Sequence, residues 1–259
     1  MVFRHWQVGL HIQRDKVAIV ALQRSKSHWR LCRWWCVPLE EGTVEHGQIM
    51  QPAALFSALR DWRKELPLQH DIYLSFPAER TLQKTLPEPA MVLREPQQAQ
   101  WITNTMSQAL EMAPDALCVD YAQDKAGRRC HVTAAQQQDI MQLRTLAAQL
   151  NLHVAAIVPD ACALQQFLPW PGTPVRGLAW SDGEQWLWAT EQGWGRCSRQ
   201  DAPALSQLAA RLDLPEEQLT SCSHFEPWQA VARLQPPLPD TAEDFAIAIG
   251  LALGETGLW

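Results

Sequence analysis

The side chains able to do chemistry are scattered through this chain. Eight histidines (His5, His11, His28, His46, His70, His131, His153 and His224) show no metal-ligand spacing. Seven cysteines (Cys32, Cys36, Cys118, Cys130, Cys162, Cys197 and Cys222) form no CxxC, and the one close pair, Cys32 and Cys36, has no local histidine. Neither a zinc centre nor a disulfide framework is indicated, and buried, reduced thiols are expected. His153 lies in a strand-like stretch and reads as a core histidine. Glu40-Glu41 and Glu216-Glu217 read as solvated turns, not acid/base pairs. No GxSxG, HExxH, P-loop or GxGxxG occurs, so no catalytic residue is assigned.

One segment has a surface chemistry. Arg24, Lys26, Arg30 and Arg33 are interleaved with Trp29, Trp34 and Trp35. Cations beside indoles can meet phosphates of nucleic acid or lipid; they can equally be the solvated face of a strand pair. The net charge of −6 disfavours a protein built to grip nucleic acid, and no direct nucleic-acid contact is expected. The first residues lack the charged start and apolar core of a signal peptide. No apolar run approaches a bilayer-spanning length, so membrane association is expected only through a partner.

These residues must be positioned by a chain of 259 residues, 47% of them hydrophobic, enough for one large domain or two modest ones. Alternating patterns over 6–12, 16–22 and 29–37 predict a three-strand meander. A helix over Pro52–Lys64, a strand over Asp71–Phe76 and a proline-punctuated linker at 87–101 follow. Then come a helix over Gln97–Leu110, a strand pair over Leu117–Tyr121 and Cys130–Ala134, a helix over Ala135–Leu150 and a strand over His153–Ile157. Asp160 is a candidate cap for a helix reaching Phe167, and Pro169, Pro171 and Pro174 form a second linker. Asp182-Gly183 marks a hairpin between 177–180 and 185–190. Trp194–Ser198, a helix over Ala202–Leu212, a strand over Gln218–Cys222, a short helix over Pro227–Ala232 and a last helix over Ala242–Leu253 complete the chain. Two meander-then-crossover halves imply an α/β architecture. In the last helix Ala242, Ala246, Gly250 and Gly254 form a small-residue stripe suited to a close backbone crossing.

Several segments, in chain order, resemble the PilM/HofM family of type IV pilus and DNA-utilisation proteins. They are Trp6–Ile12, Ile72–Pro77, Ile157–Leu164, Phe167–Pro169, Glu184–Thr190, Gln235–Pro239 and Phe245–Leu253. The resemblance implies an α/β, actin-like (ribonuclease H-like) two-domain fold with an inserted subdomain in the first half and a reduced second half. The expected boundaries are a first domain at 1–85 with 154–174 returning to it, an insert at 86–153, and a second domain at 175–259. It also implies a partner, the cytoplasmic tail of a PilN/HofN-like bitopic inner-membrane protein. That tail is expected in a groove involving Leu74, Phe76, Pro77, Arg80 and Leu86, with the chain peripheral to the inner membrane on its cytoplasmic side.

Relatives of this family bind ATP between their domains, which needs glycines that let backbone amides reach phosphate and an acid to organise magnesium. Here the first hairpin reads Gly9-Leu10-His11-Ile12-Gln13-Arg14. His11 replaces the acid and Gln13 the second glycine. Trp180 stands where the second hairpin's aspartate is expected, before Ser181-Asp182-Gly183, and Thr220–Ser223 replaces the base-binding glycines. Gly9, His11, Gln13, Trp180, Asp182 and Gly183 therefore read as a vestigial cleft with no cofactor. The expectation is a non-catalytic scaffold docking the partner tail. The alternatives are an ATP- and Mg-using actin-like ATPase that gates docking, and an adapter contacting DNA through the Arg24–Arg33 segment.

Overall fold

The computed structural model describes residues 5–26, 28–87, 93–123, 129–168, 175–235 and 237–254. Contacts divide the chain into one unit of Met1–Glu79 with Ala147–Glu255 and another built from Arg80–Leu146.

The larger unit opens with the expected meander, β1 (Trp6–Ile12), β2 (Lys16–Ser25) and β3 (His28–Pro38). A small hairpin follows, β4 (Val44–Glu45) and β5 (Gln48–Ile49). It turns at His46 and Gly47, both at positive φ, the backbone of a two-residue hairpin turn. Helix α1 (Pro52–Arg63) buries Leu55, Leu59 and Trp62, spaced to share one helix face, and the chain returns as β6 (His70–Phe76).

The smaller unit is a three-stranded sheet with two helices. Its elements are β7 (Thr81–Pro87), α2 (Glu95–Leu110), β8 (Leu117–Gln123), β9 (Arg129–Gln136) and α3 (Gln137–Gln149), in strand order β7-β9-β8. Its core joins Leu86, Ile102, Met106, Leu117, Cys130 and Val132. Three boundaries differ from the sequence reading. Thr81–Pro87 is a strand, Pro96 belongs to the first turn of α2, where it needs no N–H partner, and α3 begins after Ala135, which pairs in β9. Residues 124–128, between the two strands of the expected pair, and the linker prolines 89, 169, 171 and 174 lie outside the described residues.

The larger unit resumes with β10 (Val154–Pro159) and the short α4 (Asp160–Ala163), which tightens into a 3₁₀ turn over Leu164–Phe167. The first sheet has the order β10-β6-β1-β2-β3, with β6 and β10 parallel to β1. A second sheet comprises β11 (Gly177–Ser181), β12 (Gln185–Thr190), β13 (Gly193–Ser198) and, after α5 (Leu205–Arg211), β14 (Leu219–Ser221). Its order is β13-β12-β11-β14, with β14 parallel to β11. Each sheet is thus a meander whose first strand is joined on its other side by a strand arriving through a helix, the repeat that element order suggested.

The final helix is shorter than expected, a 3₁₀ turn over Glu243–Phe245 leading into α6 (Ala246–Leu253). All eight residues of α6 are buried, as a helix apolar on every side requires. It packs on β1 and β2 and is crossed by α4. A Cβ at Gly250 would lie 2.3 Å from the Ala163 carbonyl oxygen, so the small-residue stripe does permit a backbone-to-backbone crossing. The outer faces carry the other helices. Trp62 of α1 meets Trp35 edge-on at 6.2 Å; Leu208 and Ala209 of α5 pack with Ala179, Trp186 and Leu219. Trp34 and Trp35 point to opposite faces, as alternation demands: Trp34 meets Phe245 at 5.4 Å on the α6 side.

Candidate functional site

A chemically varied concavity of the larger unit lies between the two sheets. On one side are the β1–β2 turn, the β4–β5 hairpin and the Pro77–Glu79 segment; on the other are the β11–β12 turn and strands β12 and β13. It encloses about 630 Å³ and is lined by His11, Gln13, Asp160, Trp180, Asp182 and Arg196 among others, a volume in the range of small-molecule pockets. Trp180, standing where an aspartate was expected, forms one wall of it.

The wall is tightly tied. His11 is buried, with its imidazole edge-on to Trp180 at 5.2 Å. Gln13 Nε2 donates to His11 Nδ1 at 3.1 Å and to the Asp244 carbonyl at 3.2 Å. Trp180 Nε1 donates to the Glu243 carbonyl at 3.0 Å. The turn before α6 therefore closes the floor by accepting from both hairpins. Burial pushes the His11 imidazole down to about 3, against the opposing field of Asp244, so it is neutral. With Nδ1 accepting from Gln13, its remaining proton sits on Nε2. Beside it Lys16 meets Asp244 at 2.7 Å. Burial works against the Lys16 charge, but the Asp244 hydrogen bond and charge outweigh it and raise the amine.

The acids of the cleft are also committed. Asp182 Oδ1 accepts from Glu184 N and Gln185 N, each at 2.9 Å, and Oδ2 from Gln185 Nε2 at 3.3 Å; this is the Asx turn that an Asp-Gly hairpin invites. Gly183 supplies the positive φ of 96°. Asp160 was expected to cap α4 but lies inside it. Pro159 holds the cap position, and Asp160 Oδ1 accepts from Ala161 N at 2.6 Å and Ala78 N at 2.9 Å. Burial, aided by Asp182 and Glu79, lifts the Asp160 carboxyl to about 7. At the mouth, Arg14 and Glu184 join the two hairpin tips at 2.6 Å, both well exposed.

Five of the six expected cleft residues, His11, Gln13, Trp180, Asp182 and Gly183, meet here, and Gly9 does not. Gly9 lies under α6, where a Cβ would be 1.9 Å from the Ala248 carbonyl oxygen, so its glycine serves packing. The Thr220–Ser223 stretch also stands off the lining. Asp160, Glu79, Arg196 and the His46-Gly47 tip were missed. A glycine flanked by the short extended pairs 44–45 and 48–49 was the available signal for that tip.

Other expectations need correction. His153 is no core residue: its side chain is exposed, with Nδ1 2.7 Å from Asp71 Oδ1. Cys130, Cys162 and Cys222 are buried, and burial pushes the Cys162 and Cys222 thiols up to about 12, but Cys36 is exposed. Among the described residues no group of His, Cys, Asp and Glu could hold a metal ion.

No protein-family model matches the chain. Over 257 residues it is 45% identical to the DNA utilization protein HofM of Escherichia coli (strain K12), covering 98% of this chain and 99% of that protein. The chain belongs to the HofM family. Among solved structures, the PilM-PilN type IV pilus biogenesis complex holds a chain that aligns with TM-score 0.70 at 15% identity, over 95% of this chain and 97% of that one. A Bacteroides thetaiotaomicron protein with an actin-like ATPase fold aligns with TM-score 0.51 at 9% identity, over 96% of both chains. At such identities the likeness is one of fold, and the fold of this HofM-family chain is actin-like α/β.

The residues expected to meet a partner are mostly inward-facing in this HofM-family chain. Leu74 is 2% and Phe76 3% exposed, both within β6, and Leu86 is buried in the smaller unit's core. These three present no side chain to a partner, because alternation along each strand turns them into a core. Pro77 is half-buried, and Arg80 is held by Asp139 at 2.7 Å. The outward residues of the same segment are Leu82, Gln83, Lys84 and Thr85 of β7. Leu82 is 45% exposed, and β7 is an edge strand.

Proposed function

We propose that this HofM-family chain is a non-catalytic, PilM-like scaffold that docks the N-terminal cytoplasmic tail of a PilN/HofN-like inner-membrane protein in a type IV pilus-like or DNA-utilisation complex. The observation that carries this reading is the end-to-end likeness in fold to a chain solved in a PilM-PilN complex, joined to the name of the HofM relative. No helix among the described residues is long and apolar enough to cross a membrane; in this reading the partner supplies the membrane anchor. An edge strand bearing the exposed Leu82 suits an extended tail, which can add main-chain hydrogen bonds and seat alternate side chains.

A second reading, an actin-like ATPase gating the docking, draws on the size of the cleft. The lining weighs against it. We infer that phosphates and magnesium do not fit there. Gly9 lies under α6 and off the lining, His11 is neutral, the Gln13 side-chain amide is committed to His11 and Asp244, and Asp182 is consumed by its own turn. The ATP and Mg of the family thus have no place in this reading.

Two measurements test it. Immobilised synthetic partner tail should retain the full chain; no retention would overturn the docking role. Calorimetry with ATP and magnesium should give no binding heat; a micromolar isotherm would establish the ATPase reading instead.

A further inference from the structure

We propose that the tip of the β2–β3 hairpin is a contact surface for an anionic lipid bilayer, separate from the docking of a partner tail. From Lys16 to Leu39 the chain carries five Lys or Arg and no Asp or Glu, although its net charge is −6. Positive charge is therefore gathered in one segment against an acidic background.

The topology pushes that segment outward. β1 pairs with β2 only as far as Gln7↔Leu22, whereas β2 and β3 continue through Gln23↔Arg30, Arg24↔Trp29 and Ser25↔His28. The last rungs project as a two-stranded arm. Arg24, Lys26 and Arg30 are exposed on it. Arg24 sits over the half-buried Trp29 ring at 5.7 Å, and Arg30 is hydrogen-bonded to the neutral amide of Gln23. Further along β3, Arg33 pairs with Glu65 at 2.6 Å. A returning segment adds to the arm. The Arg233 carbonyl accepts from Leu31 N at 2.9 Å, placing exposed Arg233 and Leu234, the latter 41% exposed, beside Arg30.

Four cations, an indole and a leucine on one protrusion select the occupant. Nucleic-acid phosphates reward the cations but gain nothing from Leu234. A bilayer surface rewards both, with phosphates for the guanidinium and ammonium groups and an interfacial layer for indole and leucyl side chains. Each cation near such a surface is worth about fivefold in binding. The whole patch therefore gives a weak, salt-sensitive affinity that becomes useful when a membrane-anchored neighbour holds the chain close.

The test is co-sedimentation of the full chain, with no partner present, on phosphatidylcholine vesicles with and without phosphatidylglycerol. Binding should require phosphatidylglycerol and vanish at high salt. Arg24→Gln/Lys26→Gln should weaken it about twenty-fivefold, and Leu234→Ser severalfold with the salt dependence unchanged. Soluble glycerol phosphate should not compete. The idea fails if anionic vesicles do not retain the chain at low salt, or if the double variant binds equally well while its circular dichroism and melting match wild type. It fails also if glycerol phosphate displaces the vesicles, or if duplex DNA is retained where vesicles are not. A chain that binds vesicles but ignores the partner tail would leave this surface standing and remove the docking role.

Discussion

Gly9 of β1 lies against the Ala248 carbonyl of α6 so closely that a Cβ would sit 1.9 Å from that oxygen and 2.7 Å from Ala252 N. Backbone touches backbone, and neither side has a flexible side chain to yield. Gly9→Ala should cost about 3 kcal/mol or more, and Gly250→Ala, 2.3 Å from the Ala163 carbonyl, a comparable amount. Urea denaturation reads both; wild-type midpoints would mean that the crossings are looser than this.

Two buried groups should set opposing pH dependences. His11 titrates near 6.5 when unfolded and about 3 when folded. Between those values only the unfolded chain holds the proton, so stability falls as pH drops, by about 1.4 kcal/mol per unit. Asp160 moves from 3.8 unfolded to about 7 folded. The folded chain holds that extra proton, so stability falls as pH rises through this window. The two slopes oppose between 3.8 and 6.5. Asp160→Asn should uncover stability that climbs with pH there, and His11→Gln stability that declines. Identical slopes in both variants and wild type would remove these titrations from the account.

Trp180 contributes both a ring and a donor. Trp180→Phe keeps most of the ring against His11 but leaves the Glu243 carbonyl without its indole N–H, a loss of about 1 kcal/mol. Trp180→Ala should cost about 3–5 kcal/mol, because it leaves a cavity beside a buried histidine. Thermal or chemical melts of the pair separate the two contributions, and equal losses would show that the hydrogen bond carries all of it.

Strand position should separate folding from capture. Leu74→Asp places a charge in the core of the first sheet and should unfold the chain. Leu82→Asp, at an exposed edge position, should leave the melting temperature unchanged and reduce tail capture about tenfold, the loss of one anchoring side chain. Capture undiminished by Leu82→Asp, with wild-type folding, would move the groove elsewhere.

Much of the fold was legible because periodicity reports burial. The alternation of 6–12, the spacing of Leu55, Leu59 and Trp62, the Asp182-Gly183 turn and the glycine stripe of the last helix each carry their structure locally. Leu74, Phe76 and Leu86 were expected in a groove from the family resemblance, which places a segment but does not report burial; only a neighbouring layer decides whether such a face is covered. β7 escaped notice because four of its seven residues are exposed in a row, leaving no period-two signal.

By itself the sequence determined the two-sheet α/β order of elements and the absence of any familiar catalytic motif. Only tertiary structure decided what His11 and Gln13 do. His11 and Trp180 are 169 residues apart in sequence, and their ring contact, like Gln13 on Asp244 and Gly9 on Ala248, exists because two sheets and a C-terminal helix converge. A local pattern fixes which way a side chain points along its own strand. What it meets there depends on segments far away in the chain, whose approach is set by the packing of whole layers.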